Sequence, residues 1–512
     1  MSAGVEQVPV ATGANASAWR RWLVDPLVTY VAIAAVAGSI LCFMLPRFTG
    51  NDELAHFVRA YQISTGHLTP INAPPHTQAG TGACVPAWLA ADYLSAEFDI
   101  YARENGQHAA SPAPSSDASG RLPTPAEVQQ FERDLGTHLI GCGARHYFVD
   151  NSTFAWYSPV AYAPSAVAIA VGRWFGWSSD GLDRAGRLAQ LAIVIALIGL
   201  AIRRTPYAKW LLAIVGLVPT ALVVSSTIRP DAITTALSLL VIASALRVAD
   251  AGGFTRRTLV DALVWSALLG LSKPAYWLVA ASFLVVILSM WRRREPSHGL
   301  ARVLRDGGWL ALVPVAVAAI ASTVWQSAQR NRFICDVRFF GIHVNTHKSF
   351  HDILVRPNQF VGGFFEVAWY NAGPWLRQLV QVDPIITGAN WPIITITLVL
   401  LGFLALALRP TVDVDGTPRS PRRTDRIVFA LTALALLVAL SAGFAIYCSS
   451  PGTIESLFFT ARFLLPVLAL LLLTVAPGRR VARVLLRQPV PPVVLLAAFY
   501  GVYLVAVAST TR

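Results

Sequence analysis

Two adjacent carboxylates, Asp52 and Glu53, follow Asn51 and precede His56 and Arg59 just beyond the first hydrophobic stretch of the chain, 27–46. That stretch has about the length that crosses a bilayer, so the acidic pair sits at a membrane mouth. Ionisable groups at such depths are costly to keep and mark functional sites by default. The chemistry open to them is proton transfer: a carboxylate can take the proton of a hydroxyl as that oxygen attacks. A second reading is local. Asn51 would cap a helix whose positive N-terminal end favours Asp52 and Glu53. The two readings are compatible. Glu53 could also position an acceptor or a metal, and His56, one helical turn from Asp52, could hold that carboxylate's orientation.

Further charges fall at the ends of other apolar stretches. Ser225-Ser226-Thr227-Ile228-Arg229-Pro230-Asp231 joins two of them and puts Arg229 and Asp231 at the membrane surface. A local ion pair capping the next helix is the plainer reading there. Lys273 lies in the hairpin Leu271-Ser272-Lys273-Pro274-Ala275-Tyr276, and Arg462 opens a later apolar stretch within Phe459-Thr460-Ala461-Arg462-Phe463. Both cations fall on the side that the other basic residues avoid, and a cation that breaks that pattern is more informative than one that obeys it. Snorkelling to lipid head groups is the alternative for each. Beside an acidic pair, Lys273 and Arg462 suggest a site for a phosphate-bearing lipid with a carboxylate poised at its sugar.

The elements that must carry these residues are membrane spans. The 512 residues are 55% hydrophobic and 13% charged, which no soluble globular composition approaches. The net charge of +13 is spread as short arginine runs between apolar segments: Arg20-Arg21, Arg203-Arg204, Arg256-Arg257, 292–294, Arg422-Arg423 and Arg479-Arg480. That is the pattern of positively charged cytoplasmic loops rather than a nucleic-acid surface. Placing every run inside predicts an all-α polytopic protein. A cytoplasmic tail, 1–26, leads to a first span, 27–46, read as an uncleaved anchor because it is longer than a signal-peptide core. A large external loop, 47–186, follows. Spans are expected near 187–202, 209–226, 231–247, 258–272, 275–290 and 308–325, then a second external loop over 326–390. Four more near 391–408, 427–447, 462–476 and 491–508 bring the total to about eleven. The apolar segment 159–175 is read as a juxtamembrane helix, since counting it as a span would move five basic runs outside.

Cysteines agree with an oxidising exterior. Cys84 and Cys142 both lie in the first loop and are the expected disulfide, with Cys335 and Cys448 a weaker pair and Cys42 inside the membrane. His343, His347 and His351 recur every four residues and would share a helix face able to bind a metal, but a solvated histidine-rich helix is the simpler reading. A divalent metal is therefore open but not indicated. No Gly-rich nucleotide loop is evident, which argues against a nucleotide-sugar or ATP as direct partner.

The stretch from Asn51-Asp52-Glu53-Leu54-Ala55-His56-Phe57-Val58-Arg59 through Gly66-His67-Leu68 resembles the opening motif of the DUF2142 family of bacterial membrane proteins. Trp156-Tyr157-Ser158-Pro159, Arg229-Pro230-Asp231, Ser272-Lys273-Pro274 and Thr460-Ala461-Arg462-Phe463 fit it in order. The resemblance covers about 25–475; where the family more often has Gly-Arg-Tyr, this chain has Ala461-Arg462-Phe463. The family is in turn similar to GT-C glycosyltransferases such as protein O-mannosyltransferases and the aminoarabinose transferase of lipid A. Those carry an acidic motif in the first external loop and use polyprenyl-phosphate sugars. The resemblance thus implies a GT-C-like bundle in the plasma (inner) membrane with an external or periplasmic active face. It implies an inverting glycosyltransferase moving sugar from a polyprenyl-phosphate donor to an envelope glycan, lipid or protein acceptor. Asp52 and Glu53 would be catalytic, with His56, Arg59, Arg229, Asp231, Lys273, Tyr276 and Arg462 binding substrate. A transporter or flippase of a lipid-linked precursor, or a non-catalytic assembly subunit, are the competing classes; the absence of a visible internal repeat and the long external loop favour the enzyme.

Overall fold

The computed structural model describes residues 25–48, 52–73, 81–93, 140–143, 146–151, 153–293, 299–329, 344–381, 391–412, 418–419, 421–451, 460–475 and 491–510. Helix α1 (Pro26–Met44) starts where Asp25 accepts hydrogen bonds from the Leu27 and Val28 amides at 2.7 and 3.1 Å and Pro26 supplies the first-turn φ. A short helix, α2 (Glu53–Ser64), follows the turn that carries Asp52. Beyond it lies a four-stranded antiparallel sheet of β1 (Ile71–Asn72), β2 (Thr81–Pro86), β3 (Ile140–Gly143) and β4 (His146–Asp150), in the order β1-β2-β4-β3. Cys84 on β2 pairs across from Phe148 on β4 and is disulfide-bonded to Cys142 on β3. The all-α expectation is corrected here. Strands as short as Thr81-Gly-Ala-Cys-Val-Pro86, poor in β-branched residues, carry no alternating signal that would announce them. Phe57, Val58 and Tyr61 of α2 and Ala83, Val85, Trp88 and Leu89 form a second, smaller core between helix and sheet.

The rest is helical apart from a two-stranded antiparallel pair, β5 (Thr411–Val412) and β6 (Pro418–Arg419). In chain order come α3 (Ala163–Trp174), α4 (Ser179–Arg204), α5 (Lys209–Leu217), α6 (Pro219–Ser225), α7 (Pro230–Ala251) and α8 (Arg256–Ser272). A 3₁₀ segment, Tyr276–Phe283, leads into α9 (Leu284–Arg292), and α10 (Leu300–Arg305), α11 (Leu312–Ala328), α12 (Thr346–Val355) and α13 (Pro357–Val380) follow. The last four are α14 (Ile393–Ala407), α15 (Arg423–Tyr447), α16 (Leu465–Thr474) and α17 (Pro492–Thr510). Among the described residues, six helices are long and apolar enough to cross a membrane: Pro26–Met44, Ser179–Arg204, Pro230–Ala251, Gly308–Ala328, Arg423–Tyr447 and Pro492–Ser509. Three shorter apolar helices, Tyr276–Arg292, Ile393–Ala407 and Ala461–Thr474, fall where spans were also expected. The expected span over 209–226 is two helices, because Pro219 cannot donate an amide to the preceding turn. Helix α3 has 12 residues, about 18 Å of rise, well short of a bilayer's roughly 30 Å core, and it packs on α2 and α4.

Burial ranks the helices. The apolar window of α7 is 94% buried, whereas those of Gly308–Ala328 and Pro492–Ser509 are 28% buried, so α7 is the hub and the other two are peripheral. Outward Ile320, Val324, Val502 and Val505 are left exposed, as lipid-facing side chains are. One close approach bears on the site. A Cβ on Gly270 would stand 2.1 Å from the Ala318 carbonyl oxygen, so α8 and α11 cross with backbones nearly touching just before Lys273.

Candidate active site at the start of α2

Asp52 occupies the N-cap position of α2 with φ 66° and ψ 3°, a left-handed conformation that Asp tolerates better than most residues but that still carries strain. Its carboxylate makes no capping bond to α2. Instead Oδ2 accepts from Arg462 Nη2 at 2.5 Å, across 410 residues of sequence. Arg462 is presented by the 3₁₀ turn Ala461–Leu464 that leads into α16, and the Ala461 amide of that turn is anchored on Gln378 Oε1 of α13 at 2.9 Å. Burial alone would raise the Asp52 carboxyl; the Arg462 guanidinium, with Arg229 further off, outweighs it and holds the group below its ordinary value.

A second ion pair lies alongside. Lys273 Nζ donates to Asp231 Oδ1 at 2.6 Å, and the ammonium sits 4.0 Å from the Phe463 ring centroid and 5.5 Å from that of Tyr157. Lys273 is extended at the C-cap of α8, and Ala275 two residues on has φ 68°, uncommon for a residue with a Cβ. Asp231 belongs to the first turn of α7, and Arg229 caps that helix with its amide on Gln190 Oε1 at 3.2 Å. The Arg229 side chain is buried, yet its Nε and Nη2 meet no hydrogen-bond acceptor among the described residues. Burial first, then Arg462, pushes it down to about 10, which still leaves it charged at neutral pH. A buried guanidinium with idle donors is expensive, and an anionic ligand would satisfy it.

Five expected site residues, Asp52, Arg229, Asp231, Lys273 and Arg462, are thus brought together from four separate parts of the chain. The remainder have other duties. Glu53 was expected to act on the acceptor or a metal, but Arg187 holds both its oxygens at 2.8 Å and the Ile228 amide adds a 3.0 Å bond, all fully buried. It clamps α2 to α4 and to the turn before α7. Arg59, expected at the substrate, donates to the Tyr157 and Leu68 carbonyls at 3.0 and 2.7 Å and to Gln62 Oε1 at 2.6 Å. His56 turns its Nδ1 to the Tyr162 hydroxyl at 2.8 Å rather than to Asp52, and burial pushes its imidazole down to about 3. Tyr276 gives its hydroxyl to the Phe463 carbonyl at 2.9 Å, which fixes the turn bearing Arg462.

Arg187, Gln190 and Gln378 were not singled out from sequence. Arg187 and Asp183, 3.0 Å apart, lie within an apolar helix, and ionisable residues there are a signal in themselves. Gln378 carried none, whereas Tyr162 closes the Trp156–Tyr162 stretch that resembles the family. Asn51, His343 and Cys335 lie outside the described residues. His347 and His351 sit on α12, and among the described residues no group of three His, Cys, Asp or Glu side chains is placed to hold a metal. Cys448 is disulfide-bonded, whereas Cys42 is a free, buried thiol.

Several apolar helices around a charged cluster at helix ends define a polytopic membrane protein with a polar site. The chain belongs to the family described as "Predicted membrane protein (DUF2142)", which matches residues 36–471. Neither the curated proteins nor the solved structures contain a match to it.

Proposed function

We propose that the protein is an inverting glycosyltransferase of GT-C type, using a polyprenyl-phosphate-linked sugar and an envelope glycan, lipid or protein acceptor at the outer face of the plasma membrane. The observation that carries the reading is the cluster itself: one half-exposed carboxylate, Asp52, ringed by Arg462, Arg229 and the Lys273–Asp231 pair. Three cations around one reachable carboxylate suit a substrate with a phosphate at one end of the scissile bond and a hydroxyl approaching the other.

In the proposed reaction the acceptor oxygen forms a bond to the anomeric carbon while Asp52 takes its proton. The bond from that carbon to the phosphate oxygen breaks, and its electrons leave with the polyprenyl phosphate. Arg462, Arg229 and Lys273 stabilise the negative charge that grows there, as fixed cations in a partly dehydrated site. The Asp52–Arg462 pair gives the resting site a built-in restraint, because a carboxylate held by a guanidinium is a weak base. A donor phosphate competing for Arg462, with Arg229 ready to join it, would release Asp52 and restore its basicity.

The eleven-span arrangement and the outward active face belong to this proposal. A cysteine placed at Arg422 should be shielded from an impermeant thiol reagent in intact cells; its labelling would invert the topology. The activity is tested with purified protein in nanodiscs, radiolabelled polyprenyl-phosphate sugars and envelope glycan acceptors. Label should move to the acceptor. No transfer with any such donor would abandon the transferase reading in favour of transport.

A further inference from the structure

Helix α13 reaches the charged cluster through its last turn, where Gln378 Oε1 accepts from the Ala461 amide at 2.9 Å. The turns before it present different faces. Phe360, Phe364, Val367, Asn371 and Trp375 are half-buried and recur every three or four residues, which is the side turned to the rest of the protein. Val361, Phe365, Trp369 and Leu376 share a second stripe and are exposed, Phe365 to 65% and Trp369 to 81%. Glu366, Tyr370 and Arg377 are exposed too. Each follows a member of the apolar stripe by one residue, so this polar stripe lies about 100° further round the helix.

We infer that α13 is an interfacial helix, lying along the membrane surface on the side of the charged cluster. Val361, Phe365, Trp369 and Leu376 would enter the acyl boundary, while Glu366, Tyr370 and Arg377 stay in water. A row of exposed large apolar side chains marks a surface that something covers. Lipid is the occupant that continuity favours. Helix α13 packs on the apolar helix α14, whose Ile394, Leu398 and Leu401 are exposed as lipid-facing side chains are, so the lipid that meets α14 continues onto α13. Tryptophan at the rim of such a surface is the usual head-group anchor. The helix suits lying on the bilayer better than crossing it, because a crossing would take Glu366 and Arg377 into hydrocarbon at the exposed side of the protein. The helix that takes its height from the lipid surface is then the one that holds the turn bearing Arg462. That keeps the guanidinium at head-group level, whether the site transfers a sugar or moves a lipid.

The test reads depth residue by residue. Val361→Cys, Phe365→Cys, Glu366→Cys, Trp369→Cys and Tyr370→Cys each carry a nitroxide in the full chain, in nanodiscs of phosphatidylcholine and phosphatidylglycerol. All are exposed positions, so none removes a buried contact, and thermal unfolding of each labelled variant shows that it is folded. Wild type taken through the same labelling gives the background from Cys42, the free buried thiol. Collisions with oxygen, which concentrates in lipid, are compared with collisions with a water-soluble nickel chelate. The oxygen-to-nickel ratio should be high at 361, 365 and 369 and low at 366 and 370, switching between neighbouring residues. Frequent nickel collisions at every position would put the helix in water and overturn the inference. So would a high oxygen ratio at every position, which means a helix sunk in hydrocarbon. Few collisions with either probe at 361, 365 and 369 would mean that protein covers the stripe, from a second copy or another chain, and would overturn it equally.

Discussion

Asp52 and Glu53 are one peptide bond apart and live in opposite electrostatic worlds. Glu53 and Arg187 are 0% and 1% exposed at the side chain, with every carboxylate oxygen engaged by Arg187 and one of them also by the Ile228 amide. Asp52 keeps 34% of its side-chain exposure, and its partner Arg462 keeps 12%. Around Glu53 the carboxylate's own oxygens are both engaged, and acceptors are in excess, since the buried Asp183 carboxylate beside Arg187 has no hydrogen bond among the described residues. Around Asp52 cations are in excess, since Arg229 brings buried N–H groups that nothing among the described residues accepts. A closed cluster holds helices in place and cannot be reached by a ligand; an open one with cations in excess can be reached and suits an anionic ligand. The first also serves the second. By tying α2 to α4 and to the Ser225–Asp231 turn, Glu53 sets the left-handed residue before it where Arg462 can reach.

The largest effect should separate the neighbours by activity. Asp52→Asn is expected to lower sugar transfer about 10²–10⁴-fold, the usual worth of a general base. The protein should remain folded, because Asp52 caps no helix and a half-exposed ion pair contributes only about 0–1 kcal/mol. Transfer and thermal unfolding measured on one preparation decide it. Undiminished turnover would erase the distinction between the two carboxylates.

Glu53→Gln should fail the other way. It leaves the buried Arg187 guanidinium with Asp183 alone, 3.0 Å away, in place of the bidentate pair, a loss of up to about 3–5 kcal/mol, seen as poor accumulation in the membrane and an early unfolding transition. Adding Arg187→Met together with Asp183→Asn should recover much of that loss, since removing the whole buried charge cluster is far cheaper than removing one member of it. A Glu53→Gln protein that is stable yet inactive would mean that the carboxylate itself takes part in the reaction.

The contrast between the neighbours was only half legible in the sequence. Lys273 and Arg462 stand out because they break a charge asymmetry, and Asp52 because it follows a span, so the members of the open cluster could be named without knowing their distances. The fate of Glu53 could not be read, because its partner is 134 positions away and the spacing of spans does not say which helices touch. Arg187 was nonetheless visible as a charge within an apolar helix, and pairing it with the nearest acidic motif would have been the better inference. Most helices were legible because bilayer length is a strong constraint. The small sheet was not, since its strands are brief and depend on tertiary pairing and on the Cys84–Cys142 bridge. That bridge was expected because both cysteines fall in the first long loop, which the sequence reading placed in an oxidising exterior.

Arg462 offers a graded test of the open cluster. Arg462→Lys keeps a charge but loses the planar fork that can serve Asp52 and a phosphate together, so the KM for the lipid-linked donor should rise by roughly 10- to 100-fold while the fold is unaffected. A change confined to the acceptor KM would place Arg462 on the wrong side of the scissile bond.

The smallest effect concerns His56, one helical turn past Asp52, which hydrogen-bonds Tyr162 and feels the charges of Asp52 and Asp231. Burial holds its imidazole at about 3, whereas in the unfolded chain it titrates near 6.5. Between those values the unfolded state binds a proton that the folded state refuses, so the stabilisation is complete above pH 6.5 and is lost as pH falls. Between pH 6.5 and 5.5 the loss from this one group is about 1 kcal/mol. The Asp52 carboxyl is held below its ordinary value, so its pairing with Arg462 stays intact through that window and weakens only in stronger acid. Wild type should therefore lose stability on mild acidification while Asp52 remains charged. In His56→Gln, where the amide can still meet the Tyr162 hydroxyl, the same pH step should cost about 1 kcal/mol less. Unfolding midpoints at the two pH values check this. Identical slopes for wild type and His56→Gln would show that His56 is charged in the folded protein, and its positive charge would then have to be counted with those of Arg462 and Arg229 around Asp52.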